Sequence, residues 1–241
     1  MKARNMNDSE RLAREYLLYL GFKSVIYEPN GNIPPDFLAD DKIAVEVRRL
    51  NQNEPTASGF RGLEETSIPL QMKISKLLIE LGPATADESW FVTYRVERPI
   101  PAWNLLKPAL CQCLQTFRDS PRNNRSATTI TIDTTFELKL LRASDRHPTF
   151  FVLGGYSDND TGGWILGEIQ KNLRLCVEEK TQKIAAVRNK YSEWWLILED
   201  RIGYGVDACD RALFCKSLRF EHGWDKLILL IPFDHRAAFE I

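Results

Sequence analysis

Two carboxylates stand close together in the stretch GNIPPDFLADDKIAVEVRRL, residues 31–50. Asp36 follows a pair of prolines, and Glu46 sits in the middle of IAVEV. The apolar side chains there alternate as in a strand, with Ile43, Val45 and Val47 on one face and Ala44, Glu46 and Arg48 on the other. A carboxylate in so apolar a setting is costly unless a cation, a metal ion or a hydrogen-bond network compensates its charge. Two carboxylates converging on one sheet face suit a hard divalent cation such as Mg²⁺ (or Mn²⁺), held through oxygens and retained waters. Arg48, two residues beyond Glu46, falls beside it. A bound metal, an activated water and a side-chain cation are together what phosphodiester hydrolysis needs. The connection between the carboxylates decides whether they can meet. If Asp40 and Asp41 alone made the turn, Asp36 would oppose Val45 and point away from Glu46. A shared site requires an odd-length loop such as residues 40–42, a bulge, or an Asp36 just outside the ladder.

The elements that must position these residues follow from periodicity. Asp8 or Ser9 can cap a helix over 9–20, and Gly21 stops it. A short strand at 24–27, the proline-marked turn and the Asp36 and Glu46 strands come next. Residues 51–63 read as a loop, 64–81 as a helix, 89–97 as a strand and 103–119 as a helix interrupted in pattern by Pro108. Residues 121–126 read as a loop, and 128–141 as a long hairpin arm or a bent strand with which 149–153 can pair. The stretch YSDNDTGG is a loop. Residues 164–191 form one long helix whose stripe runs through Leu166, Ile169, Leu173, Val177, Ile184, Val187 and Tyr191. Lys180 interrupts that stripe. Strands at 194–200 and 225–232 close the pattern, an α/β arrangement around a mostly central sheet.

With these elements in place, Pro35-Asp36 followed by Glu46-Val47-Arg48 resembles the PD-(D/E)xK, or restriction-endonuclease-like, nuclease superfamily. SERLAREYLLYLGF is similar to the opening helix of Holliday-junction resolvases and their relatives, with Glu10 standing eleven residues before Gly21. The resemblance covers residues 9–50, and the later helix followed by WWLILED fits more loosely. It implies a restriction-endonuclease-like α/β core with a central mixed β-sheet flanked by helices, built from residues 1–53 and 164–241. Residues 54–163 would be a large inserted α+β region carrying substrate choice or a protein contact. It also implies a Mg²⁺-dependent nuclease acting on nucleic acid, DNA foremost, with Asp36 and Glu46 as metal ligands and Glu10 as a further acid. A catalytically silent module of the same fold, binding nucleic acid or a protein, is the alternative.

Arg48 stands where the family has lysine. Arginine stays protonated and cannot act as a general base, although it can clamp a phosphate. Either the site works by metal and electrostatics alone, or a lysine comes from elsewhere. Lys180 is the candidate, and a lysine snorkelling at the edge of the core is its bland counterpart. Glu46 has a bland reading as an ion pair with Arg48 or Arg49, Asp36 as a turn former, and Glu10 as an acid favoured by the helix dipole. The long helix carries Lys171, Arg174, Lys180, Lys183, Arg188 and Lys190 against Glu168, Glu178 and Glu179, so with Arg48, Arg49 and Arg61 it is a candidate phosphate-binding face, with a solvated helix face as the bland counterpart.

The totals exclude some classes. The 241 residues are 44% hydrophobic and 27% charged, as in a folded globular protein, and the formal charge of −1 carries no global basic signal. No apolar run is long enough to span a membrane, and the N-terminus lacks a signal peptide's apolar core, so a cytoplasmic protein is expected. A homodimer is compatible with everything above. The five cysteines contain no CxxC pair and read as buried free thiols, and the three histidines show no metal-ligand spacing.

Overall fold

The computed structural model describes residues 5–57, 59–85, 88–120, 126–217 and 222–241. The chain divides into two compact units, one of residues Met1–Phe60 with Gly163–Ile241 and one of residues Arg61–Gly162.

The first unit is α/β, with a mixed six-stranded sheet flanked by helices. Its strands are β1 (Val25–Tyr27), β2 (Phe37–Ala39), β3 (Ile43–Leu50), β10 (Glu193–Asp200), β11 (Lys226–Ile231) and β12 (Asp234–Glu240), paired in that order. The central strands β3, β10 and β11 are parallel, and antiparallel pairs close both edges. Being covered on both faces, β10 reads WWLILED, a nearly continuous apolar run rather than an alternating one. Helix α1 (Asp8–Tyr19) covers one face, packing Leu12, Ala13, Tyr16 and Leu17 against Val45, Val47, Ile197 and Ile228. Helix α4 (Ile165–Ile184) covers the other, packing Leu166, Ile169, Leu173 and Val177 in one core with Ala44, Leu50, Leu196 and Leu227. Odd-numbered positions of β3 therefore face α1, and even-numbered positions, Glu46 included, face α4.

In the second unit a four-stranded sheet runs β7 (Ala127–Asp133), β8 (Phe136–Arg142), β6 (Trp90–Val96), β9 (Phe151–Asp158). Helices α2 (Glu64–Glu80) and α3 (Trp103–Asp119) pack on one face of it, through Ile74, Leu78, Leu110 and Leu114 against Trp90, Val92 and Leu138. Arg98 holds one end of this unit. Its guanidinium donates to Asp158 at 2.6 Å, to the Leu63 carbonyl at 3.2 Å and to the Thr66 hydroxyl at 3.1 Å.

Several expectations change. The stretch 51–63 is not a plain loop but holds a two-stranded ribbon, β4 (Asn53–Thr56) with β5 (Gly59–Gly62). Residues 128–141 form the hairpin β7–β8, and 149–153 contributes to β9, which pairs in parallel with β6 rather than with that hairpin. The long helix does not run to 191. Beyond Ile184 it tightens into a 3₁₀ segment (Ala185–Lys190), held where the Arg188 carbonyl accepts the Trp194 indole N–H at 3.0 Å. Helix α5 (Ala208–Ser217) and strand β12 were not foreseen. Of the cysteines only Cys176 is buried; Cys111 and Cys113 are half-buried, and Cys209 and Cys215 are exposed. The polar stretch 121–125, read as a loop, lies outside the described residues. Among the described residues no helix is long and apolar enough to cross a membrane.

Candidate active site

The turn after β2 sets the register on which the site depends. Ala39 pairs with Ile43, Leu38 with Ala44 and Phe37 with Val45, which leaves residues 40–42 as the connection. Asp40 and Asp41 take positive φ values of 45° and 56°, and the Lys42 amide donates to the Ala39 carbonyl at 3.1 Å. Asp and Asn tolerate this left-handed region better than other non-glycine residues. Asp36 then comes one step before the ladder, at the position that register carries opposite Glu46. Its Oδ2 accepts the Val47 amide at 2.8 Å, which ties the carboxylate to β3.

Glu46 is fully buried on the α4 face, and two lysines from α4 reach it. Lys180 Nζ lies 2.6 Å from Glu46 Oε2 and 3.4 Å from Asp36 Oδ2. Lys183 Nζ lies 2.9 Å from the same Glu46 oxygen and 3.6 Å from Asp36 Oδ1. The Lys180 side chain is only 8% exposed, so it turns inward and does not snorkel to solvent. Burial works to lower the Lys183 pKa, but the Asp36 and Glu46 carboxylates outweigh it and raise it above the usual value. Glu46 Oε1, by contrast, is buried with no hydrogen-bond partner. All the lysine contacts on Glu46 fall on one oxygen, and the other is left bare.

Arg48 lies on the same face but is engaged differently. Its guanidinium pairs with Glu179 of α4 and sits 5.2 Å over the Phe60 ring. The cation beside the two carboxylates thus comes from α4, and Arg48 is held one step to the side. Cys176 lies beneath it, and burial raises its thiol pKa against the opposing pull of Arg48 and Lys180.

Glu10 lines the same cleft, about 360 Å³ in volume, as Asp36, Arg48, Arg49, Lys180 and Lys183. It is also the third residue of a capping box. The Glu10 amide donates to Asn7 Oδ1 at 2.9 Å, while the Asn7 amide donates to Glu10 Oε2 at 2.7 Å. Glu10 Oε2 further accepts the Tyr27 hydroxyl at 3.1 Å. Among the described residues no group of three or more acidic, histidine or cysteine side chains gathers to hold a metal. Arg61 belongs to the second unit.

Two participants went unrecognised in the sequence. Lys183 was counted only among the charges of its helix, although its place three residues after Lys180 and directly before Ile184 puts it on nearly the same face. The second is Glu199, 2% exposed, which lies on the α1 face. It accepts the Ser9 hydroxyl at 2.5 Å and pairs with Arg201 at 2.5 Å and with Arg49 at 3.7 Å. Only an acid closing an apolar strand hinted at that network.

Comparison with protein-family models, with curated proteins and with solved structures returns no match.

Proposed function

We propose that the first unit is a nuclease core of the PD-(D/E)xK, restriction-endonuclease-like kind, hydrolysing phosphodiester bonds in DNA with Mg²⁺ or Mn²⁺. The observation that carries this reading is a lysine delivered from α4 onto Glu46, opposite Asp36, with Glu46 Oε1 left bare. A buried carboxylate oxygen without a partner is costly, and a cation is the partner a carboxylate accepts best. The donor set fits the metal, because Mg²⁺ is commonly held by one or two carboxylates, with waters and substrate phosphate completing its shell. Asp36 and Glu46 are the residues that would hold it. When bound, the metal supplies a water of lowered pKa and neutralises charge on the phosphate.

The chain's own residues do the rest. The Val47 amide fixes the Asp36 carboxylate, and Lys180 fixes that of Glu46 by donating to Oε2. The Lys180 ammonium also brings positive charge to the cleft in which the scissile phosphate would lie, in surroundings where it is poorly screened. Arg49, two-fifths exposed on the cleft wall, is placed to contact the nucleic-acid backbone. Arg48 is a positioning residue in this reading, held by Glu179 and Phe60.

One observation favours the rival, a silent module of the same fold: two lysines already neutralise the two carboxylates. Cleavage of plasmid DNA with Mg²⁺ or Mn²⁺, with and without chelator, separates the two. The nuclease reading expects cleavage that chelator abolishes and that Glu46→Ala and Lys180→Met lose. No cleavage of DNA or RNA under any metal condition leaves the silent module in its place.

A further inference from the structure

Asp36, Glu46, Lys180 and Lys183 carry two negative and two positive charges and form a neutral group without any metal. The two lysines are not equivalent within it. Lys180 sits inside the apolar stripe between Val177 and Ile184, with its side chain 8% exposed. Lys183 is 41% exposed, and its ammonium makes the contacts to Glu46 and Asp36. The oxygens are not equivalent either. Asp36 Oδ2 is committed to the Val47 amide and to Lys180, and Glu46 Oε2 to both lysines. A cation held by Asp36 and Glu46 would need carboxylate oxygen outside these contacts, and Glu46 Oε1 has no hydrogen-bond partner. Asp36 Oδ1 is the oxygen that Lys183 covers at 3.6 Å.

We propose that Lys183 is a resident counter-ion of this site. In the free protein it occupies the carboxylates, and when a divalent cation binds it swings out to a backbone phosphate of the nucleic acid. Metal and nucleic acid therefore bind cooperatively. The inference rests on the metal-dependent nuclease reading and adds a coupling to it. Lys183 opposes the metal by charge when it has nowhere else to go, and it ceases to do so when a phosphate receives it. By linkage, the factor by which DNA tightens metal binding equals the factor by which metal tightens DNA binding. The partly exposed stem allows the swing, whereas Lys180 is walled in. Lys180 thus stays on Glu46 in both states.

The test measures binding and not cleavage. Free Mn²⁺ is followed by electron paramagnetic resonance as it titrates the 241-residue chain and its Lys183→Met and Lys183→Gln variants. Each is titrated alone and with a phosphorothioate DNA duplex that resists hydrolysis. Circular dichroism checks each fold, and Lys183→Gln serves if Lys183→Met melts early. The parent should bind Mn²⁺ weakly alone and roughly 5- to 150-fold more tightly with the duplex, as coupled sites ordinarily do. Both variants should bind Mn²⁺ about tenfold or more tightly without DNA, because a like charge has gone from close range. They should gain less from the duplex than the parent does, because a phosphate still reaches the metal but no lysine has to be removed from the carboxylates. A parent that binds Mn²⁺ while the variants bind it no better, or gain as much from the duplex, overturns the counter-ion role and leaves the nuclease reading standing. If the parent and both variants bind no Mn²⁺ with or without duplex, the metal reading itself falls, and this inference with it.

Discussion

Replacing Lys180 by methionine removes a cation from a carboxylate that water does not reach. Glu46 is fully buried, and the Lys180 ammonium lies 2.6 Å from its Oε2. Deleting one partner of a buried ion pair costs about 3–5 kcal/mol, because the surviving charge stays where it is. Lys183 remains 2.9 Å from the same oxygen, which places the loss at the lower end, about 3 kcal/mol. In a chain of this size that corresponds to a fall in Tm of roughly 6–12 °C. The double variant Glu46→Leu/Lys180→Met exchanges the pair for apolar side chains in an apolar layer, an exchange commonly neutral or stabilising. It leaves Asp36 with Lys183 and the Val47 amide. The double variant should therefore recover most of what the single one loses. Urea unfolding followed by tryptophan fluorescence reads both, since Trp194 and Trp224 lie in the core that α4 covers. Equal stability of parent and Lys180→Met to within about 0.5 kcal/mol would place the lysine outside any compensating role. A double variant no more stable than the single one would refute the same reasoning from the other side.

Other outcomes are expected. Lys180→Met should reduce metal-dependent DNA cleavage about a hundredfold or more, the scale of losing one donor to a developing charge, while Arg48→Met costs less than about tenfold. Steady-state cleavage of a labelled duplex ranks them, and the reverse order would return the catalytic cation to Arg48. Stability should fall in alkali. Burial first, then Glu240, raises the Tyr16 pKa, and burial, Tyr156 and Asp158 raise that of Tyr94. A pKa raised in the folded state contributes stability that is complete below the unfolded value, 10.0 for both tyrosines, and is lost as pH climbs through the folded value. Urea midpoints should thus hold to about pH 9 and drop beyond 10, and a midpoint rising over that range would contradict the burial of both phenols. In native protein, iodoacetamide should modify Cys209 and Cys215 and spare Cys176, which is fully buried with its thiol pKa raised by that burial. Peptide mapping by mass spectrometry checks this, and early labelling of Cys176 would mean that α4 opens readily.

Much of the site was legible because strand chemistry is strict. The alternation of IAVEV fixes the face of Glu46, and the period of two makes the connection length decide where Asp36 points. The choice among the possible connections was not legible, because it depends on two aspartates accepting positive φ. Lys180 was legible as a polar break in an apolar stripe, but its direction was not, since a snorkelling lysine and a buried one leave the same sequence pattern. Lys183 escaped because an exposed basic residue on a helix ordinarily signifies solvent. In the fold, the apolar strands β10 and β11 announced themselves. Strand β12, DHRAAFE, lies at a sheet edge and lacks alternation, and α5 shows little amphipathic pattern. The ribbon β4–β5 was hidden by Pro55 and by polar side chains.

The interruption of the first unit by residues 61–162 also governs when the two halves of the site can meet. Asp36 and Glu46 lie before the interruption and both lysines after it, so Lys180 follows Glu46 by 134 residues. At ordinary translation speeds of about 5–20 residues per second, Glu46 would leave the ribosome roughly 7–27 s before its first counter-ion. Strand β3 cannot pair with β10 in that interval either, because Glu46 stands beside Leu196 in the finished sheet. A carboxylate that must end in the sheet interior thus has no reason to leave water early, and the long-range parallel pairing is of the slow kind. During synthesis the nascent chain carries the acids without the lysines. A product truncated anywhere before residue 180 would hold neither ammonium and could not assemble the group on which cleavage is proposed to depend.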